Sequence, residues 1–213
     1  MAPIKTFTVN LTSKSHTKAI LTPSDSSTPS YELELSWLTK DLFTSSQKQS
    51  IVLRSTSTSS STESESLRPI IGSCILPFIS LSKPIQICLG DPDTKSAIWE
   101  TMPCRSVTKA NGFELSLDLG GAIGRRTFDW KRTSKIDGVS GTSSKEIDPL
   151  NFKMVDRETG RVVARFVHHI WYGKKRGVLE IGEFEGGDGW EVIVVLSGMA
   201  VLEYSRKIYG YSF

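Results

Sequence analysis

Five cations interleaved with two aromatic rings make the stretch best suited to recognition chemistry: Arg125, Arg126, Lys131, Arg132 and Lys135 around Phe128 and Trp130, offset by Asp129. Side chains alternate between the two faces of a strand. With Phe128 and Trp130 turned inward, Arg126 and Arg132 share their face at its two ends, while Arg125, Thr127, Asp129 and Lys131 point outward. Cations at a rim can hold a phosphate head group or an anionic membrane surface, each contributing about 1 kcal/mol near such a surface. A second cluster, Lys174, Lys175 and Arg176, falls in an expected turn after Trp171 and Tyr172, where aromatic rings beside cations suit a membrane interface. The plainer reading of both clusters is a solvated strand face and an ordinary polar hairpin turn.

The other reactive residues do not assemble into a known constellation. His168 and His169 are adjacent, so on a strand they point to opposite faces, one to the core and one to the surface, and cannot ligate one metal together. His16 is remote, no Asp or Glu stands at ligand spacing, and no metal site is expected. Gly120-Gly121-Ala122-Ile123-Gly124 lacks the first glycine of a dinucleotide fingerprint, because Leu119 stands there. Gly186-Gly187-Asp188-Gly189 opens a helix, but the flanking Glu185 and Asp188 are anionic and no P-loop lysine follows, so it reads as a tight strand-to-helix turn. Glu183 and Glu185 share a strand face with no sign of a cleft around them, and there is no G-x-S-x-G elbow. The sequence is therefore expected to be non-enzymatic and to carry no cofactor.

Charge and cysteine usage narrow the setting. Across 213 residues, 26 basic side chains against 23 acidic ones give a formal charge of +3, too even for a nucleic-acid binder, so any anion site must be local. Cys74, Cys88 and Cys104 contain no C-x-x-C pair and read as small core hydrophobes. The first residues do not have the form of a signal peptide, Ala2 stands where myristoylation needs glycine, and the tail is not a prenylation box. The expectation is an intracellular, cytoplasmic protein, peripheral to a membrane if lipid is its ligand, with protein partners as the alternative.

Two kinds of element must position these residues. Segments of period two read as strands with one buried face: Tyr31, Leu33, Leu35 and Trp37 alternate with Glu32, Glu34 and Ser36, and Phe113, Leu115 and Leu117 with Glu114, Ser116 and Asp118. Val162, Ala164 and Phe166 alternate with Val163, Arg165 and Val167, joined to Asn151–Val155 by the hairpin turn Asp156–Gly160. Further strands are expected at 5–9, 19–22, 51–54, 70–76, 85–89, 97–101, 126–131, 169–172 and 178–184, about a dozen in all. The second kind is a helix over 188–209, with Asp188 as N-cap, Glu191 completing a capping box and Gly210 as C-cap. It is apolar on every face, through Trp190, Val192 to Leu196, Met199 to Leu202 and Tyr204, so protein must enclose it. Its apolar run is too short, and too closely bracketed by Glu191 and Glu203, to cross a bilayer. A barrel of about twelve strands is too wide for its own side chains to fill, and a threaded helix satisfies both partners. The expected fold is mainly β with one long helix: an antiparallel, closed β-barrel around a buried C-terminal helix. One domain spans 1–213, with a Ser/Thr-rich mobile loop at 44–66, a candidate regulatory element, and a flexible loop at 133–145.

Phe128-Asp129-Trp130, Phe152-Lys153-Met154-Val155-Asp156 with the Glu158-Thr159-Gly160 turn, Val163-Ala164-Arg165-Phe166, Leu179-Glu180-Ile181 and the helix from Glu191 to Arg206 together resemble the tubby C-terminal-like superfamily. That superfamily includes the tubby proteins, the phospholipid scramblases and the LURP-one-related proteins, and the chain looks most like its small fungal members. The resemblance covers roughly Phe128 to Tyr209 and implies a twelve-stranded barrel around a central helix. It also implies binding of anionic phospholipid or phosphoinositide head groups by basic residues on the barrel. The closing signature of true tubby proteins is missing from Ser205–Phe213, and nothing matches the cysteine-rich or calcium-binding stretches of scramblases.

Overall fold

A computed structural model describes residues 3–12, 17–36, 49–56, 68–77, 83–95, 97–105, 112–121, 123–133, 150–169, 175–187 and 189–209. Among them are twelve strands: β1 (Pro3–Leu11), β2 (Lys18–Pro23), β3 (Tyr31–Leu35), β4 (Ile51–Ser55), β5 (Ile70–Ile75), β6 (Ile85–Leu89), β7 (Ile98–Met102), β8 (Phe113–Asp118), β9 (Arg125–Arg132), β10 (Phe152–Asp156), β11 (Val162–His168) and β12 (Lys175–Gly182). One helix follows, α1 (Trp190–Tyr209).

The strands form one antiparallel meander in which β12 pairs with β1, bringing the two ends of the sheet's chain order together. The ring is nearly closed. Between β7 and β8 the ladder shrinks to a single bridge, Cys104 opposite Phe113, with Arg105 N–H donating to Gly112 O at 2.9 Å and Glu114 N–H to Pro103 O at 3.1 Å. Arg125 braces this seam from β9, reaching Glu100 at 2.6 Å and the Ser116 carbonyl at 3.2 Å. Ile98 and Trp99, on the β7 side of the seam, are 63% and 40% exposed.

Helix α1 lies within the ring and packs on β5, β6 and β12. Val194, Leu196 and Leu202 have no exposure at all, as the all-round apolar pattern requires. The inner rows of the strands, among them Phe7, Leu33, Leu53, Leu115, Phe128, Trp130 and Phe166, complete the core. Close approach has local causes. A Cβ on Gly72 of β5 would lie 2.8 Å from Leu196 Cδ2, so only glycine leaves room for the helix there. Gly198 faces the Trp130 ring, whose Nε1–H donates to Ser197 Oγ at 3.0 Å, seating α1 on β9. Among the described residues no helix is long and apolar enough to cross a membrane.

Several sequence expectations need correction. β12 begins at Lys175 rather than at residue 178, so Lys175 and Arg176 belong to a strand and not to a turn. Both histidines are buried: His168 ends β11 on the inner side, and His169, past the end of the alternation, donates its N–H to Arg176 O at 3.0 Å. In β11 a bulge opposite Met154 and Val155 breaks the simple period, burying Val163 together with Ala164 and leaving Val162 part-exposed. Glu32 sits on the polar side of β3 yet is buried, because Lys18 and Arg68 close over its carboxylate at 3.4 and 2.5 Å. The caps assigned to Asp188 and Gly210, Trp37, most of the 44–66 loop and all but the start of the 133–145 loop lie outside the described residues.

Candidate functional site

The two faces of β9 divide its cations as the alternation predicts. Phe128 and Trp130 are fully buried, Arg126 and Arg132 stand at the ends of the same face, and Arg125 and Lys131 point outward. Lys135 and Lys174 lie outside the described residues, and of Lys175 only the backbone is described.

Most of the described cations of the two clusters are answered by carboxylates. Arg125 pairs with Glu100; Lys131 lies 3.3 Å from Asp129; Arg126 binds Asp156 at 2.5 Å and Glu158 at 3.2 Å. Arg157, in the β10–β11 turn, adds a second lattice by spanning Asp129 at 2.5 Å and Glu114 at 2.6 Å. Arg176 is not at a surface at all. It is buried beside α1 with Glu203 at 3.4 Å, and burial lowers its pKa against the pull of that carboxylate. The structure therefore does not unite Arg125–Arg132 and Arg176 into one surface.

Strand register creates a different cationic feature. Lys131 of β9 lies opposite Lys153 of β10, Lys153 opposite Arg165 of β11, and Arg165 opposite Glu180 of β12. Three cations thus stand in one cross-strand row on the outer face. Like charges directly opposite one another destabilise a sheet; Asp129 beside Lys131 and Glu180 opposite Arg165 answer the two ends of the row, so the repulsion centres on Lys153. Lys153, at its centre, is part-exposed and among the described residues makes no ion pair. Glu180 bounds the row; burial pushes its carboxyl up while Arg165 pulls it down. Lys153 and Arg165 were not singled out from sequence. The hairpin turn Asp156–Gly160 alone would not have found the pair: continued from Val155 opposite Val162 it sets Lys153 against Ala164, and the bulge at Val163 shifts the register by one residue to Arg165.

At one end of the barrel, beside the start of α1, a pocket of about 400 Å³ opens between the β10–β11 turn, the start of β9 and the segment 183–185. Arg126 and Asp156 form its inner wall. Asp156 accepts from Arg126, from the Thr159 hydroxyl at 2.6 Å and from Glu158 N–H at 3.1 Å. Burial pushes the Asp156 carboxyl up, but these hydrogen bonds outweigh it and hold it below the usual carboxylate value. Phe184 supplies an aromatic wall, tilted against Trp190 with centroids 4.4 Å apart and edge-on to Phe128 at 5.3 Å. The Arg126 guanidinium lies 5.7 Å from the Phe184 ring centre. The cleft around Glu183 and Glu185 that sequence reasoning did not find is this pocket. Among the described residues no three His, Cys, Asp or Glu side chains gather as a metal site would need.

Comparison with protein-family models, with curated proteins and with solved structures finds no match to this chain.

Proposed function

We propose that the chain is a non-catalytic, tubby-like binding module that docks on anionic phospholipid or phosphoinositide head groups through the outer face of β9–β11. The observation that carries this reading is the row Lys131–Lys153–Arg165, whose repulsion a bound phosphate would relieve. The twelve-stranded ring with an enclosed C-terminal helix supports the tubby-like assignment, since that is the architecture the resemblance implies. On this reading the basic surface shifts from the Arg125–Lys135 rim to the middle of the outer sheet.

The test is flotation with vesicles of phosphatidylcholine alone, or with added phosphatidylserine or phosphoinositide, at low and at physiological salt. Binding is expected on the anionic vesicles only and should weaken with salt. Lys153→Gln should lower that affinity about fivefold, the equivalent of about 1 kcal/mol for one cation near the surface. The same substitution should leave folding stability unchanged or slightly raised, because Lys153 faces cations on both neighbouring strands. Failure to float with any vesicle at low salt would remove the proposal.

A further inference from the structure

We propose that the pocket at the barrel end binds a small zwitterion of the amino-acid class, a molecule carrying a cationic amine and an acidic group on an apolar body. Its lining holds opposite charges that do not meet. Glu183, Glu185 and Arg161 all border the pocket, yet among the described residues none of these three side chains makes an ion pair. Oppositely charged groups around one cavity that stay beyond bonding distance leave two poles, one for an amine and one for an acid. The remaining pair, Arg126 and Asp156, is already internally matched.

The sign of the lining excludes simpler ligands. Two guanidinium groups, Arg126 and Arg161, face three carboxylates, Asp156, Glu183 and Glu185. A bare anion would meet an excess of negative charge, and a bare cation would leave Arg161 unanswered. The lining also carries apolar residues, Ile123, Val163 and Phe184, which suit a short hydrocarbon body. The volume lies near the lower end of small-molecule sites. The wall is also held in place before any ligand arrives: Phe184 is braced by Trp190 and Phe128, and Arg126 by Asp156. A site fixed in this way loses little freedom on binding. The pocket shares no residue with the outer row of β9–β11, so the two proposals stand or fall separately.

The experiment is an amide NMR titration of the full chain with L-phenylalanine and L-leucine as zwitterions, and with phenethylamine and 3-phenylpropionate as analogues carrying one charge each. Saturable shifts confined to residues 159–163 and 183–185 are expected with the zwitterions at millimolar concentration. Each single-charge analogue should bind about fivefold more weakly than L-phenylalanine, the loss of one exposed ionic contact. Glu183→Gln with Glu185→Gln should bring L-phenylalanine down to the affinity of 3-phenylpropionate, and Arg161→Gln down to that of phenethylamine. These three side chains are exposed, so the variants should melt as the parent does. Lack of saturable shifts with both zwitterions, or equal binding of zwitterion and single-charge analogues, would overturn the proposal.

Discussion

Glu203 offers the sharpest test of how α1 is held, because the same helix carries a second glutamate in a contrasting setting. Glu203 is 1% exposed and accepts from Arg206 Nη1 at 3.0 and 2.8 Å and from Arg176 Nη1 at 3.4 Å. Both arginines are buried with it. Glu203→Gln keeps the shape and removes the charge, leaving two neighbouring guanidinium groups enclosed with no anion between them. Breaking a buried pair costs about 3 to 5 kcal/mol, against a total stability of roughly 5 to 15 kcal/mol for a domain. Glu191, in the first turn, lies 2.7 Å from Lys5 with both side chains partly exposed, 24% and 39%. Glu191→Gln should therefore cost about 1 kcal/mol or less, since Tyr31 can still donate its hydroxyl to an amide oxygen. Equilibrium urea unfolding followed by far-ultraviolet circular dichroism measures both, with an unchanged slope confirming that the same transition is compared. Replacing the whole cluster by Arg176→Met, Glu203→Leu and Arg206→Met should recover most of the loss, because a packed apolar set avoids the desolvation penalty. Equal costs for Glu203→Gln and Glu191→Gln would refute the claim that enclosure in the barrel sets the strength of this cluster.

Acid sensitivity should trace to the pocket wall and the outer lattice. Burial raises the Asp156 and Asp129 carboxyls, but Thr159 and Arg126 around the first, and Arg157 and Lys131 around the second, bring both below their ordinary value. A carboxyl lowered in the folded state adds stability that is present above its unfolded value of about 3.9 and is lost as pH falls through the folded one. Stability measured by urea unfolding should thus drop below about pH 4, and Asp156→Asn should make that drop shallower; an unchanged slope would contradict the assignment. Glu180, raised by burial, has the opposite sign: its contribution is present below the ordinary glutamate value and fades as pH rises. Thiol labelling gives an independent check on the core. Burial pushes the Cys74 thiol well up and raises Cys88 too, while Cys104 is only part-buried. A thiol reagent should modify Cys104 alone in the native protein and all three in urea, and rapid native labelling of Cys74 would contradict the enclosed core.

Much of the architecture was legible because two periods carry it. The alternation of Phe113, Leu115 and Leu117 marks β8 directly, and the apolar surround of α1 from Trp190 to Tyr204 forces an enclosing partner. What stayed hidden depends on register and on covering side chains, neither of which a single segment encodes. Arg176 read as part of a basic turn because its partner Glu203 lies on a different element, far along the chain. Glu32 read as solvent-facing because Arg68 and Lys18 close over it from other segments. The row Lys131–Lys153–Arg165 is invisible until three strands are aligned, and the pocket is invisible until the β10–β11 turn is brought beside residues 183–185.

The order of the elements along the polypeptide has a consequence for biogenesis. Each described stave of the cask is synthesised before the peg that fills it, since α1 follows the twelve described strands. During translation the meander can zip hairpin by hairpin from its local turns, but its greasy lining has nothing to close around until α1 leaves the ribosome. A nascent chain stalled before residue 190 should therefore be held by chaperones or form aggregates, and completion of the helix becomes the committing step of maturation.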